Sequence, residues 1–187
     1  MLSELRLHNG TVYRWNRPVY DVVNGRPHLR VENRVLPAGP TVVDMMANSA
    51  FYYGLLRSIA EDDRPLWTKM SFNAAQNNFL EGARNGMGAR LYWPGLGEVT
   101  PDELVLRHLL PMADEGLRRW RVAADVRDRY LGVIEGRAKT GRTGSAWQVQ
   151  TVTELQERGM NRPKALAEML RRYCDLMHSN EPVHTWE

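Results

Sequence analysis

One run of alternating residues places three charges where they could act together on a ligand. Arg30, Glu32 and Arg34 are separated by single residues in the segment 28–36, which reads HLRVENRVL. Successive side chains of a β-strand point to opposite faces, so all three would project from one face of a strand. A carboxylate is the kind of oxygen ligand that Mg²⁺ prefers, and guanidinium groups can grip phosphate or carboxylate oxygens at two points.

Two interpretations of this row are open. The three charges cannot all enter a core, because burying unpaired ions is costly. They could form a solvated edge in which Glu32 bridges two arginines. Alternatively, they could form the floor of a polar cleft, where Glu32 binds a metal ion and the arginines hold phosphate or a substrate carboxylate. In such a cleft an arginine would stabilise charge that develops on a transferring phosphoryl group.

The element that positions this row is predicted to be a β-hairpin. Residues 11–20 predict a first strand, and Asn24-Gly25 is a turn signal of the hairpin type. Arg14 and Arg17 belong to that first strand and could face the same cleft. The first 38 residues hold six arginines, no lysine and three acids, whereas the other residues hold 19 basic and 19 acidic side chains. The whole net charge of +3 therefore lies in the predicted hairpin segment.

The remainder of the chain predicts a helical body. Residues 37–40, PAGP, end the strand, and Thr41 with Asp44 three residues later predicts a capped helix over 42–60. This segment is apolar almost all round, so we expect a central helix that is buried on several sides. Further helices are predicted from Ser71, from Thr100 with a kink or break at Pro111, over 124–139, from a cap at Ser145, and over 162–178. Residues 86–97 predict a loop.

Composition excludes several classes of protein. Hydrophobic residues make up 43% and charged residues 25%, values that are ordinary for a globular chain and argue against disorder. The single cysteine, Cys174, excludes a disulfide scaffold and fits a cytoplasmic protein. The longest apolar stretch, 42–60, is interrupted by Asp44, Asn48 and Arg57, which argues against a membrane span. Few aromatic residues interleave with the basic segment, so we expect no nucleic-acid partner.

Several longer motifs resemble the bacterial type 2 glutamate–cysteine ligase family. In the predicted hairpin these are LHNGTVYRWNRP at 7–18 and PHLRVENRVLPAGPT at 27–41. In the helical body they are RPLW at 64–67, MSF at 70–72, TGSAWQ at 143–148 and NEPVHTW at 180–186. The resemblance covers nearly the whole chain. More distantly, the row of Arg30, Glu32 and Arg34 is similar to a strand of glutamine synthetases, which share the carboxylate–amine ligase fold.

The resemblance implies a two-step ligase reaction and roles for the charged residues. ATP would phosphorylate the side-chain carboxylate of glutamate, with Mg²⁺ bridging the phosphates, and an amine substrate such as cysteine would attack the acyl phosphate. By the match, Glu32 would be the metal ligand, and Arg34 and Arg30 would be the catalytic contacts to phosphate or substrate carboxylate. We assign Arg14 and Arg17 as further substrate or phosphate contacts.

Members of that family are usually much longer, with much of the catalytic sheet upstream of the matching region. We therefore expect an α+β fold in which a short antiparallel β-hairpin, part of a larger glutamine synthetase-like sheet, precedes a mainly α-helical body of about six helices. Residues 1–187 would form a single domain, the C-terminal portion of a ligase catalytic domain, with a β head at 1–38 and the helical body at 39–187.

The expected function follows from that position within the family. The chain would be the C-terminal portion of an ATP- and Mg-dependent ligase of the kind used in glutathione biosynthesis, and it would be incomplete for catalysis alone. Its partners would be the upstream ligase segment or a second copy of itself. The alternative is a non-catalytic helical interaction module that binds a partner chain through its strand edge, since an unpaired edge is a template for association.

Overall fold

The computed structural model describes residues 16–36 and 38–187. The described residues fall into two compact units, divided between Ala38 and Gly39. The predicted α+β class is confirmed, since a two-stranded antiparallel hairpin precedes about six helices.

The hairpin consists of β1 (Asn16–Val23) and β2 (Arg26–Asn33), joined at the predicted turn. Asn24 and Gly25 both have positive φ, at 51° and 72°, which is the backbone that a tight hairpin turn requires. The register sets Arg17 opposite Glu32 and Val19 opposite Arg30. Because side chains alternate along a strand, Arg30 and Glu32 project from the same face of β2, as predicted. The opposite face carries apolar side chains, and Leu29 is 74% exposed there.

The second unit contains seven α-helical segments. Four of them begin at residues whose side chains accept a hydrogen bond from an amide three positions along: Thr41, Ser71, Thr143 and Asn161. The helices are α1 (Val42–Ala60), α2 (Phe72–Asn85), α3 (Pro101–Leu104), α4 (Leu110–Arg119), α5 (Ala124–Thr140), α6 (Gly144–Glu157) and α7 (Arg162–Ser179). In the described part of the chain, none of them combines the length and apolar character needed to cross a bilayer.

The start of α6 differs from the prediction. The cap is Thr143 rather than Ser145, because the Thr143 hydroxyl accepts from the Ala146 amide at 3.2 Å. Ser145 lies inside the first turn of the helix, where its hydroxyl is 3.1 Å from that of Thr143. The sequence offers two hydroxyl residues at neighbouring positions, and only the backbone geometry selects between them.

Helix α1 packs against α4 and α5 over one side only. Gly54 and Gly116 allow α1 and α4 to approach closely, since a Cβ on Gly54 would meet the backbone of Ala113 and one on Gly116 would meet the backbone of Gly54. Phe51 and Leu55 pack into the core clusters at this contact. The expected burial on several sides is wrong: an opposite stripe of α1 is 44–59% exposed at Val42, Met46, Tyr53 and Leu56.

The region before Pro111 shows a change of helix type and not a break. Residues Val105–Leu109 form a π-helical segment between α3 and α4, and the Leu110 amide donates to the Val105 carbonyl. In a regular α-helix the ring of Pro111 would crowd the carbonyl four residues earlier and would leave it without a donor. A wider π turn accommodates the proline without ending the helix.

Residues 86–97 are not a loop throughout, contrary to the prediction. Strands β3 (Leu91–Trp93) and β4 (Gly97–Val99) pair antiparallel. The Leu96 amide donates to the Trp93 carbonyl at 3.0 Å across a turn with Pro94 second and Gly95, at φ 83°, third. That arrangement suits the residue types of a type II turn.

Candidate functional site

The predicted row of charges forms a charged face on the hairpin, consisting of Arg17, Arg30, Glu32 and Arg34. Glu32 lies between two guanidinium groups on this face. Its Oε2 is 2.5 Å from Nη2 of Arg17 on the paired strand, and its Oε1 is 3.3 Å from Nε of Arg34. The Glu32 side chain is 39% exposed, so the face is open to solvent on its outer side.

The protonation of Glu32 follows from these neighbours. Partial burial alone would raise the pKa of the Glu32 carboxyl, but hydrogen bonds from Arg34 and Arg17 and their positive charges outweigh it. The pKa of Glu32 is therefore lowered from its ordinary value, and the carboxylate stays ionised at neutral pH. An ionised carboxylate is the form that ligates a metal ion.

Arg30 shares the face but has different neighbours. Its Nη1 is hydrogen-bonded to Nε2 of His28 at 2.5 Å and lies 4.0 Å from Oδ2 of Asp21. Of the predicted site residues, the hairpin thus brings Arg17, Glu32 and Arg34 together, with Arg30 further along the same face. Arg14 lies outside the described residues.

The fit of Mg²⁺ to this face is limited to one ligand. Mg²⁺ requires six oxygens in near-octahedral geometry and is often held by one or two carboxylates together with substrate phosphates. Among the described residues no group of three or more His, Cys, Asp or Glu side chains is placed to hold a metal. Glu32 has lone pairs beyond those that face Arg17 and Arg34, so it fits as a single metal ligand. The other ligands would come from phosphates, water and residues beyond the described hairpin.

A second polar constellation lies inside the helical body, and sequence reasoning missed it. Asp44 is fully buried in the first turn of α1, and its Oδ1 lies 3.6 Å from Nε of Arg137 on α5. Arg137 also donates to Oδ1 of Asn48 at 2.7 Å and to the Asp44 carbonyl at 3.3 Å. Burial lowers the pKa of Arg137, and the charge of Asp44 partly offsets this shift.

The tail, residues 180–186, closes over this buried pair. The Val183 amide donates to Oδ2 of Asp44 at 3.1 Å, and Oδ1 of Asn180 accepts from the Val43 amide at the start of α1. The ring of His184 lies against Gly136, where a Cβ would collide with it. Burial lowers the pKa of His184, and Nδ1 of that ring is enclosed without a hydrogen-bond partner in the described structure.

Two of the motifs that carry the family resemblance meet at this tail. The rings of Trp147 and Trp186 are edge-to-face with centroids 5.2 Å apart, and Tyr173 completes the cluster at 5.5 Å from Trp186. Nη1 of Arg142 donates to the Trp186 carbonyl at 2.8 Å. In the described structure, the segments 143–148 and 180–186 therefore serve to anchor the tail to the helical body.

The sequence around Asp44 predicts a helix cap but not the buried ion pair. Aspartate stands where a capping box usually has glutamate, and the sequence indicates only the cap. The cap is present, since the Asp44 amide donates to the Thr41 hydroxyl at 3.1 Å. The shorter carboxylate does not reach back to the cap amide and instead accepts from Thr41 Oγ1 and from Val183. Its partners at 137 and 183 are too distant in sequence for a local pattern to predict.

Comparison of the chain with family models, curated proteins and solved structures finds no match. The functional interpretation therefore rests on the residues and geometry of the hairpin face. Its arrangement can do two things chemically. An ionised carboxylate can supply one metal ligand, and the guanidinium groups beside it can bind the oxygens of a phosphate or carboxylate.

Proposed function

We propose that this chain is the C-terminal portion of an ATP- and Mg-dependent carboxylate–amine ligase of the glutamate–cysteine type. In the proposed reaction the γ-phosphoryl group of ATP is transferred to the side-chain carboxylate of glutamate, which gives an acyl phosphate and ADP. The amine of the second substrate, such as cysteine, then attacks the acyl carbon. Inorganic phosphate leaves, the amine loses a proton, and an amide bond has formed.

The observation that carries the proposal is the position of Glu32 between Arg17 and Arg34 on an open strand face. A guanidinium group carries five N–H donors, so an arginine that contacts Glu32 can also contact phosphate or carboxylate oxygens. Arg30 extends the same positive face along β2. Positive charge held in place near a transferring phosphoryl group stabilises its transition state.

Glu32 would hold Mg²⁺, which when bound neutralises and aligns the phosphates of ATP. The two arginines beside Glu32 disfavour a bare divalent cation, because like charges repel. We therefore expect the chain to bind Mg²⁺ together with nucleotide rather than Mg²⁺ alone. Before nucleotide binds, the ion pairs with Glu32 would hold Arg17 and Arg34 in position.

Two measurements test this proposal: calorimetry for the binding of Mg-ATP, and an assay for the release of ADP. We expect wild-type chain supplied with the upstream ligase segment in trans to bind Mg-ATP and to release ADP only when glutamate and an amine are both present. Glu32→Gln should abolish that release and weaken Mg-ATP binding, while the melting temperature changes by only a few degrees because the side chain is close to isosteric. Glu157→Gln, at an exposed carboxylate on α6, is the matched control and should change neither quantity. Undiminished ADP release by Glu32→Gln would contradict the metal-ligand role.

A second candidate function is an interaction module that binds a partner chain through the hairpin. The observation that favours it is the exposed apolar face of β2, where Leu29 and Val31 are 74% and 67% exposed. Within the described residues the sheet has only two strands, so each strand has an edge that no described strand covers. The substitutions Leu29→Ser and Val31→Ser separate the candidates. If the double variant loses partner binding and the wild-type chain binds no nucleotide, the function as an interaction module is favoured over the ligase function.

A further inference from the structure

A groove in the helical body runs between α2 and the β3–β4 hairpin. It is open to solvent on one side and has a volume of about 530 Å³, which lies within the range of small-molecule sites. One wall is a face of α2, on which Asn78, Glu81 and Arg84 recur at helical spacing. The other wall is the hairpin, from which Arg90, Tyr92 and Glu98 line the same space.

The floor of the groove is held by two hydrogen bonds from one side chain. Nδ2 of Asn78 donates to the Tyr92 carbonyl at 2.7 Å, and Oδ1 of Asn78 accepts from the Tyr92 amide at 2.8 Å. The amide group of Asn78 thus takes the place of a neighbouring strand along β3. This fixes the hairpin to the helix, so the two walls hold a constant separation.

The charged side chains on the two walls do not form ion pairs with each other in the described structure. Glu81 accepts from Nδ2 of Asn85 at 2.6 Å, although Arg84 lies three residues away on the same helix. Neither Arg84 nor Arg90 makes an ion pair with any residue in the described part of the chain, and the same holds for Glu98. Two guanidinium groups and two carboxylates therefore line one groove without ion pairs between them, and Glu81 keeps one carboxylate oxygen beyond the one that accepts from Asn85.

We propose that this groove binds a small zwitterion: an amino acid or a short peptide with both termini free. The ligand carboxylate would accept hydrogen bonds from Arg84 and Arg90, and its ammonium group would donate to Glu81 and Glu98. The two carboxylates would repel a polyanion, and the two arginines would repel a polycation. A groove with equal numbers of both charges therefore favours a ligand that carries both. The groove lies wholly in the helical body, and this site is independent of the ligase function proposed for the hairpin.

Titration of the ¹⁵N-labelled full chain with triglycine tests the site. The Tyr92 backbone amide and the Asn78 side-chain amide are the reporters, because both lie on the floor. We expect saturable shifts at these two signals. N-acetyl-triglycine and triglycine amide each lack one terminal charge, and each should bind about tenfold more weakly, the size of one charge-assisted hydrogen bond.

Variants identify the groups that recognise each terminus. Arg84→Gln combined with Arg90→Gln should remove the preference for a free carboxylate, and Glu98→Gln should reduce the preference for a free ammonium group. Arg158→Gln, at an exposed arginine outside the groove, is the control and should bind triglycine like the wild type. Unchanged melting temperatures would show that the variants are folded. The absence of saturable shifts, equal binding of either blocked peptide, or an equal loss in Arg158→Gln would overturn the proposal.

Discussion

Asp44 joins three segments that are far apart in sequence, because it touches the start of α1, α5 and the tail. Its carboxylate is fully buried and lies beside the Arg137 side chain, which is itself only 16% exposed. A buried ion pair contributes little net stability when intact, since both ions have lost their hydration. Removal of one charge of the pair is strongly destabilising, because the other charge is then left buried without compensation.

We therefore expect Asp44→Asn to lower the free energy of unfolding by about 3–5 kcal/mol. Asparagine has nearly the same shape and can still accept from Thr41 and Val183, so the loss reports the charge rather than a cavity. Urea denaturation followed by circular dichroism measures it. Asp175→Asn is the control, at a carboxylate 66% exposed beside Arg171, and should cost less than about 1 kcal/mol. Equal losses in the two variants would contradict the role of Asp44.

His184 predicts a pH dependence of the same region. Burial lowers the pKa of its ring below the ordinary value of 6.5, although the charge of Asp44 opposes this shift and that of Arg137 adds to it. Well above pH 6.5 the ring is neutral in both the folded and the unfolded chain, and this contribution to stability is fully present. As the pH falls below 6.5, the unfolded chain takes up a proton that the folded chain does not, so stability is lost.

Thermal melts between about pH 5 and 7, a range above that in which most carboxylates titrate, measure this effect. The melting temperature of the wild type should fall toward pH 5. In His184→Gln the decline should be shallower, whatever the variant's stability at pH 7. Parallel curves for the two proteins would assign the decline to other groups.

Sequence reasoning was successful at residues whose environment is local and failed at those whose environment is distant. Strand alternation correctly placed Arg30, Glu32 and Arg34 on one face, because the period of a strand fixes its faces. It did not predict that Glu32 pairs with Arg17, because the register of the hairpin decides which residue lies opposite. The burial of Asp44 depends on the tail, which no pattern near residue 44 reveals.

At the scale of elements, the two sides of α1 offer a matched comparison. Leu55 packs into the core cluster with Ala113 and Leu117, whereas its neighbour Leu56 is 44% exposed. Leu55→Ala should cost about 2–5 kcal/mol through lost burial and a residual cavity. Leu56→Ala should stay within about 0.5 kcal/mol. Denaturant titration measures both, and a cost for Leu55→Ala as small as that for Leu56→Ala would show that α1 does not form the core.

Helix α5 provides a second matched pair in its two glycines. A methyl group at Gly136 would collide with the ring of His184, whereas a methyl group at Gly132 would meet no atom within 4 Å. Gly136→Ala should displace the tail and destabilise the fold by about 1–3 kcal/mol. Gly132→Ala should stabilise it by up to about 1 kcal/mol, because alanine favours the helix.

Tryptophan fluorescence reports the displacement directly, since Trp186 is 2% exposed and Trp147 is 3% exposed. Gly136→Ala should shift the emission to the red as these rings become hydrated, whereas Gly132→Ala should leave it unchanged. An unshifted spectrum in Gly136→Ala, together with wild-type stability, would mean that the tail does not depend on this contact.

The starts of three helices were predictable from their capping residues, Thr41, Ser71 and Asn161, whereas at α6 two nearby hydroxyl residues left the cap ambiguous. The cap at Asn161 predicts the start of α7 because its side chain accepts from the Lys164 amide at 3.1 Å. Strands β3 and β4 were missed because each has three residues, too few for an alternating pattern to be recognised. The exposed stripe of α1 was missed for another reason. Composition shows that a helix is apolar on every side but not which sides find a partner.

At the scale of the whole molecule, exposed apolar side chains lie on both compact units when each is considered separately. Leu29 and Val31 lie on the hairpin, and Met46 and Tyr53 lie on α1. We predict that the purified chain associates with itself and shows no ATP turnover with glutamate and cysteine unless the upstream segment is supplied. Light scattering and an ADP-release assay measure these properties. A particle with the mass of one chain at high concentration, or ADP release that requires both amino acids, would contradict this prediction.

The bond between the Val183 amide and Asp44 also has a consequence for biosynthesis. The two residues are 139 positions apart, so at roughly 5–20 residues per second the ribosome makes α1 many seconds before the residue that completes its first turn. Until then the carboxylate of Asp44 lacks one of its donors, and Trp147 lacks the ring of Trp186 against which it packs. A nascent chain interrupted before residue 183 would therefore have an α1 whose buried carboxylate lacks this donor and a Trp147 ring without its edge-to-face partner.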